Sequence, residues 1–269
     1  MSVMPVLAAY PVVVDFTSNT SSGTASSLTL TKTASAGAGD VLLLIVGNDD
    51  SSNIAQWSNF TDASGDDWTL VNEAGNSSAD CHSATYYRVA DGGEAATVDV
   101  PAQSLDDYWG FYVEVSGANT STPIDAVGSD VNVSSGTSIS FIDFLGTELT
   151  TTADETLAFY VHCFDGGDGF PFNESGEGWV EGADIQTSTS GTQASGSWGT
   201  KQVASAGLVG VVAIAQSAGD SDGYSGFQFS IAPDPTPPPA EAEVTRTMHL
   251  FEGVSIKLYE GTFFIQQQG

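Results

Sequence analysis

Tyr108-Trp109-Gly110-Phe111-Tyr112-Val113-Glu114-Val115 decides the fold. Trp109, Phe111, Val113 and Val115 fall at every second position, with Tyr108, Tyr112 and Glu114 between them. A period of two is a β-strand with one face in a core, and the tyrosine face is expected at a second interface or at the surface. The same alternation recurs on both sides of this stretch. Leu28 and Leu30 alternate with polar residues over 26–33, Leu157, Phe159, Val161 and Cys163 share a face opposite Tyr160 and His162, and Phe227, Phe229 and Ile231 align near the end of the body. His162 is expected to be hydrogen-bonded and half exposed. Residues 41–46 are apolar throughout, as a strand covered on both faces reads, and 208–215 are expected to form another of that kind. Asp91-Gly92-Gly93 reads as a tight hairpin turn that returns the strand 81–90 into 96–100. No window carries a sustained 3.6-residue stripe. The expectation is an all-β protein, a jelly-roll-like antiparallel β-sandwich.

Toward the C-terminus, Pro233, Pro235, Pro237, Pro238 and Pro239 interrupt the strands. They favour extended polyproline geometry and remove ladder donors, which makes a semi-rigid linker. The organisation read from this is an arm at 1–10, a sandwich at 11–231, a proline-rich linker at 232–243 and a tail at 244–269. In the tail, Phe251-Glu252-Gly253 and Tyr259-Glu260-Gly261 are the same aromatic-Glu-Gly corner, which predicts a three-strand meander. Met248, Leu250, Val254, Ile256, Leu258, Phe263 and Ile265 give it more apolar surface than so small a sheet can bury alone. These seven are the candidate assembly residues.

Charge removes whole classes of partner. The chain carries 34 Asp and Glu against 5 Lys and Arg, a formal charge of -29. Nucleic acid is excluded as a partner because phosphate neutralisation needs clustered cations, and an anionic membrane surface is excluded for the same reason. No apolar run approaches the ~20 residues of a membrane span, and 1–14 has no basic region of a signal peptide. Such a surface repels itself in dilute buffer and is relieved by salt, as the Debye length falls to about 3 Å at 1 M. A saline habitat, marine or halophilic, is the expectation.

The residue types that carry chemistry give weak signals. Cys81-His82 and His162-Cys163 pair each cysteine with a histidine, but neighbours in a strand point to opposite faces, so four zinc ligands cannot converge without a bulge and zinc ranks last of three readings. Two separate core cysteines are expected, with a disulfide as the next reading. Asp165-Gly166-Gly167-Asp168-Gly169 offers Asp165 and Asp168 as calcium candidates without the spacing of an EF-hand, so no cofactor is expected beyond a possible Ca²⁺. Gly219-Asp220-Ser221-Asp222-Gly223 matches the nucleophile-elbow pattern but lies between two strands, where that elbow does not form. No paired carboxylates stand out, and the protein is read as non-enzymatic. Trp57, Trp68, Trp179 and Trp198 are the conceivable sugar-stacking residues of an alternative reading, a carbohydrate-binding or adhesin-type module, although core positions suit them better.

The order of segments resembles a β-sandwich domain of virion structural proteins of tailed viruses of bacteria and archaea. The resemblance rests on Gly39-Asp40-Val41-Leu42-Leu43-Leu44, Asp67-Trp68-Thr69-Leu70-Val71, Tyr86-Tyr87-Arg88-Val89-Ala90 with Glu94, Glu114-Val115-Ser116-Gly117 and Pro123-Ile124-Asp125. It covers residues 11–231. It implies a homo-oligomer, often a trimer, used as a capsid decoration, turret, fibre or tail component, with the major capsid protein or another virion component as partner and the virion as location. It implies no catalytic residue.

Overall fold

The computed structural model describes residues 10–21, 27–32, 36–49, 58–76, 81–101, 107–136, 138–140, 148–166, 172–176, 178–187, 193–216, 222–235, 246–251, 254–259 and 262–267. Every regular element among them is a β-strand. The chain divides into two compact units, a body of Tyr10–Asp234 and a second that contains Pro235–Gly269.

In the first half of the body the strands are β1 (Val12–Ser21), β2 (Ser27–Thr31), β3 (Val41–Asn48), β4 (Phe60–Thr61), β5 (Asp67–Asn76), β6 (Cys81–Val89), β7 (Thr97–Pro101) and β8 (Tyr108–Ser116). They build a sheet of order β1-β8-β3-β6-β5-β4, with β2 and β7 paired separately. The second half contributes β9 (Ile124–Val127), β10 (Val131–Gly136), β11 (Ser138–Ser140), β12 (Thr150–Thr151), β13 (Thr156–Asp165), β14 (Phe172–Ser175), β15 (Val180–Gln186), β16 (Ala194–Val203), β17 (Gly207–Leu208), β18 (Ala213–Gln216) and β19 (Asp222–Ile231). Its main sheet runs β10-β19-β13-β16-β15, with β9 also on β19, while β11-β18-β14 and β12-β17 form small sheets. All of these pairings are antiparallel.

The two main sheets are copies of one plan. In each, the last strand of the half lies between the edge strand and the first long central strand, β8 between β1 and β3, and β19 between β9/β10 and β13. Leu43 pairs with Val113 and Tyr87, and Phe159 pairs with Phe229 and Thr200, which fixes the equivalence. The bulges then coincide. An extra residue enters the edge strand at Val14 and at Asp125, and another enters at Val71 and at Gly182. Trp68 and Trp179 precede the second pair of bulges at the same point of the plan. A bulge alters twist and strand direction, so two coincident bulges in two halves are a shared design, not chance irregularity. β5 packs over β19 as β15 packs over β8, and β1 packs over β15 as β9 and β10 pack over β5, as a two-fold relation between the halves requires.

Between the sheets lies the main core, with Leu43 and Ile45 of β3, Phe111 and Val113 of β8, Phe159 and Val161 of β13, and Phe227 and Phe229 of β19 all fully buried. Phe159 stacks on Phe229 at 5.0 Å and on Trp198 at 5.9 Å between ring centroids. Side chains of this size stabilise by roughly 1.5–3 kcal/mol each when removed from water. Trp109, Phe111, Val113 and Val115 thus form the core face that their spacing predicts.

The opposite faces are covered too. Tyr108 and Tyr112 are buried with Leu42, Leu44, Trp68 and Tyr86 under Leu28 and Leu30 of β2 and Val98 and Val100 of β7. The tyrosines therefore belong to a second core. On the other sheet, Tyr160, Phe164 and Tyr224 are buried with Val212 and Ile214. His162 shares that covered face at 0% exposure, which corrects the expectation of a half-exposed histidine.

Two further expectations are corrected. β6 and β7 do not form a hairpin, because β7 pairs with β2. After Val89 the Glu94 carboxylate turns the chain out of the sheet by accepting hydrogen bonds from the Asp91 N–H, the Gly92 N–H at 2.9 Å and Arg88 at 3.2 Å. Nor do residues 208–215 make a central strand. Gly210 has φ +84, a left-handed conformation that breaks the extension, and only β17 and β18 remain, in small outer sheets.

The end of the body is tied down beyond Ile231. The Ala232 N–H donates to Pro123 O at 2.8 Å and the Asp234 N–H to Gly117 O at 2.8 Å. In the second unit β20 (Arg246–Phe251), β21 (Val254–Tyr259) and β22 (Thr262–Gln267) form an antiparallel three-stranded sheet in sequence order, a meander.

Candidate functional site

Two of the three cations of the body are consumed in ion pairs, buried or nearly so. Lys32, on the segment after β2, forms an ion pair with Glu114 of β8, and their side chains are 1% and 7% exposed. The Gly37 N–H also donates to Glu114, at 3.2 Å, and Lys32 stands 5.3 Å from the centroid of the Tyr112 ring. Burial opposes ionisation of Glu114, but hydrogen bonds from Lys32, Asp40 and Gly37 outweigh it and hold this carboxyl below the usual range. Burial, then the hydrogen bond to Glu114 and its charge, push the neighbouring Asp40 up to about 6. Arg88 pairs with Asp66 and with Glu94 and lies 5.9 Å over the Trp68 ring. Lys201 is half-buried, and Arg246 and Lys257 belong to the C-terminal strands.

Against that background the edge strand β1 combines sparse charge with exposed apolar side chains. Asp15 is the single carboxylate among residues 1–39 of a chain that holds 34 Asp and Glu. β1 lies in this neutral stretch and at the end of its sheet, and among the described residues it pairs on one side only, with β8. Val12, Val14 and Phe16 on it are 42%, 52% and 43% exposed, half of the exposed large hydrophobics among the described residues. Phe16 stands edge-on to Trp198 at 5.4 Å, so its ring continues the main core outward. An unpaired edge with apolar side chains is a template for association, which natural sheets usually blunt with charge, Pro or a covering loop.

The pseudo-symmetric edge has such a cover. Asp125, at the position equivalent to Val14, accepts hydrogen bonds from the Thr152 N–H at 2.9 Å, the Thr152 hydroxyl at 2.6 Å and the Ala153 N–H at 3.0 Å, and from the Ser230 hydroxyl at 3.1 Å. The same bulge is thus capped by a loop in one half and presents valine to solvent in the other. Sequence reasoning missed the contrast because it missed the duplication. Its signals were Tyr108-x-Gly110-Phe111 against Tyr224-x-Gly226-Phe227, and Ser21-Ser22-Gly23-Thr24 against Ser134-Ser135-Gly136-Thr137.

The other candidates are placed as follows. Ile256 pairs with Met248 and Ile265, and Leu258 pairs with Phe263, so five of the seven tail positions share cross-strand rows. Val254 pairs with Phe251, and Leu250 lies at the register shift beside it. Asp165 ends β13, half-buried, and Asp168 lies outside the described residues, as does most of 219–223. Among the described residues no three His, Cys, Asp or Glu gather as metal ligands. Trp68 and Trp198 are core residues, Trp179 is half-buried against Tyr160 at 5.6 Å, and Trp57 lies outside the described residues. Burial lowers the pKa of His162 to about 3, and the Ser197 hydroxyl lies 3.5 Å from its Nδ1. Cys81 and Cys163 are both buried thiols of the inter-sheet core.

No protein-family model, curated protein or solved structure matches this chain.

Proposed function

We propose that the protein is a non-enzymatic structural component of a virus particle, a β-sandwich subunit that self-assembles and works in a saline medium. The observation that carries the assembly reading is the β1 edge, where Val12, Val14 and Phe16 are exposed on a charge-poor stretch of the chain. Two copies of a molecule with a charge of -29 can approach at low energetic cost only where carboxylates are sparse, and the β1 edge within residues 1–39 is one such surface that also exposes large apolar side chains. The segment order supplies the virion part, with three copies as the oligomer it implies and the capsid as the other partner. The tail rows at Ile256, Leu258, Phe263 and Ile265 supply a second apolar strip suited to symmetric contact. A sugar-binding reading has no comparable support, since Trp68 and Trp198 are not exposed for stacking.

Mass spectrometry of purified particles from a producing culture tests this. Peptides of this chain at a fixed stoichiometry to the major capsid protein are expected. Their presence in the lysate and absence from washed particles would refute the reading.

A further inference from the structure

We infer that Cys81 and Cys163 form a disulfide that staples the two halves of the sandwich together. The two residues belong to facing sheets, Cys81 to β6 and Cys163 to β13, and both are 0% exposed in the same inter-sheet core. Their side chains meet across it. The Cys81 thiol donates to the Ser225 hydroxyl at 3.5 Å, and Ser225 is the ladder partner of Cys163. The Cys163 thiol is near enough to the Cys81 thiol for Cys81 to help raise its pKa. These are the only cysteines of the chain, so an intramolecular bridge has one possible connectivity.

The pseudo-symmetry shows that the pair is specific to this place. The positions equivalent to Cys81 and Cys163 are Ala194 and Gly47, and there the space is taken by an indole, since a Cβ on Gly47 would collide with the Trp109 ring. Ser225 is the counterpart of Trp109, so one site is filled by a large aromatic ring and its twin by two sulfurs and a hydroxyl.

Closing the staple removes two protons and two electrons from the thiols, and one S–S bond forms. The oxidant is a low-molecular-weight disulfide such as glutathione disulfide, whose own S–S bond breaks to give two thiols. Exchange proceeds through a thiolate, and burial raises the Cys163 pKa well above its ordinary value. The bond therefore closes while the chain folds, and in the closed sandwich it resists dissolved reductant.

The test uses the full chain, refolded from denaturant in a glutathione redox buffer and then alkylated and counted for free thiols under denaturing conditions. No free thiol, a monomeric band on a non-reducing gel and one Cys81–Cys163 cross-linked peptide are expected. The thermal midpoint should lie about 10 °C above that of the same protein refolded with reductant, the scale for closing a loop of this length. The double variant Cys81→Ala/Cys163→Val should fold and lose the redox dependence of its midpoint. Two free thiols in protein with an intact β-sheet spectrum, an intermolecular cross-link instead, or equal midpoints for the oxidised and reduced protein would overturn the inference.

Discussion

Replacing Lys32 with methionine removes the cation from an ion pair whose side chains are 1% and 7% exposed, while keeping a side chain of similar length. Glu114 is then left with the Gly37 N–H and Asp40, and no positive charge. Breaking a buried pair from one side costs about 3–5 kcal/mol, because the surviving charge stays desolvated. For a body of this size that is a fall of about 10 °C in thermal midpoint. The loss depends on pH in a direction the structure fixes. In the native protein Asp40 is held up to about 6 against an ordinary 3.8, so it stabilises fully below about 3.8, and that contribution is lost as pH rises through 6. Glu114 is held low, so its contribution is present at neutral pH and lost in acid. Without Lys32 both carboxyls hold protons more tightly, and the deficit is largest at pH 7 and shrinks toward pH 4. Urea unfolding followed by tryptophan fluorescence, at fixed KCl and at both pH values, measures it. Lys32→Met/Glu114→Leu, which removes both charges, should recover most of the loss. A deficit under about 1 kcal/mol at pH 7, the scale of an exposed pair, or one unchanged at pH 4, would refute this account of the second core.

His162 is held neutral by burial, with its pKa lowered to about 3 from 6.5, so its contribution is complete above 6.5 and is lost as pH falls toward 3; His162→Gln should flatten the acid limb of a stability–pH curve, and an unchanged limb would count against it. With a charge of -29, the thermal midpoint should climb steeply between 0.1 and 2 M KCl as the Debye length contracts from about 10 Å to under about 3 Å. A flat response would remove the argument for a saline medium.

The sandwich was legible because its strands obey a period of two, and Trp109, Phe111, Val113 and Val115 lie where that period puts them. The covering layers were not legible. Tyr108, Tyr112, Tyr160 and His162 have polar tips, so they read as the wetter face of a two-layer protein, whereas short strands and loops bury them beneath a third and a fourth layer. The turn at Asp91-Gly92-Gly93 has hairpin chemistry, but the direction of the chain is set by Glu94 gripping two backbone N–H groups and Arg88, a contact that no dipeptide rule encodes. The run 208–215 has the composition of a central strand and is broken by one glycine conformation. The candidate site was half legible. Its neutral composition is visible in the sequence, but its position at an uncapped edge emerges only beside Asp125, the capped counterpart of Val14.

Multi-angle light scattering of the full chain in molar KCl, beside a Val14→Lys/Phe16→Lys variant, tests the assembly claim most directly. Both positions are about half exposed, and only Phe16 reaches the core, through its edge contact with Trp198, so the substitutions spare every fully buried side chain. The account predicts a particle of three 27.8 kDa chains that dissociates in the variant while its thermal midpoint stays within a few degrees of the parent. A parent chain that runs as a monomer, or a variant that keeps the parent's mass, would contradict it.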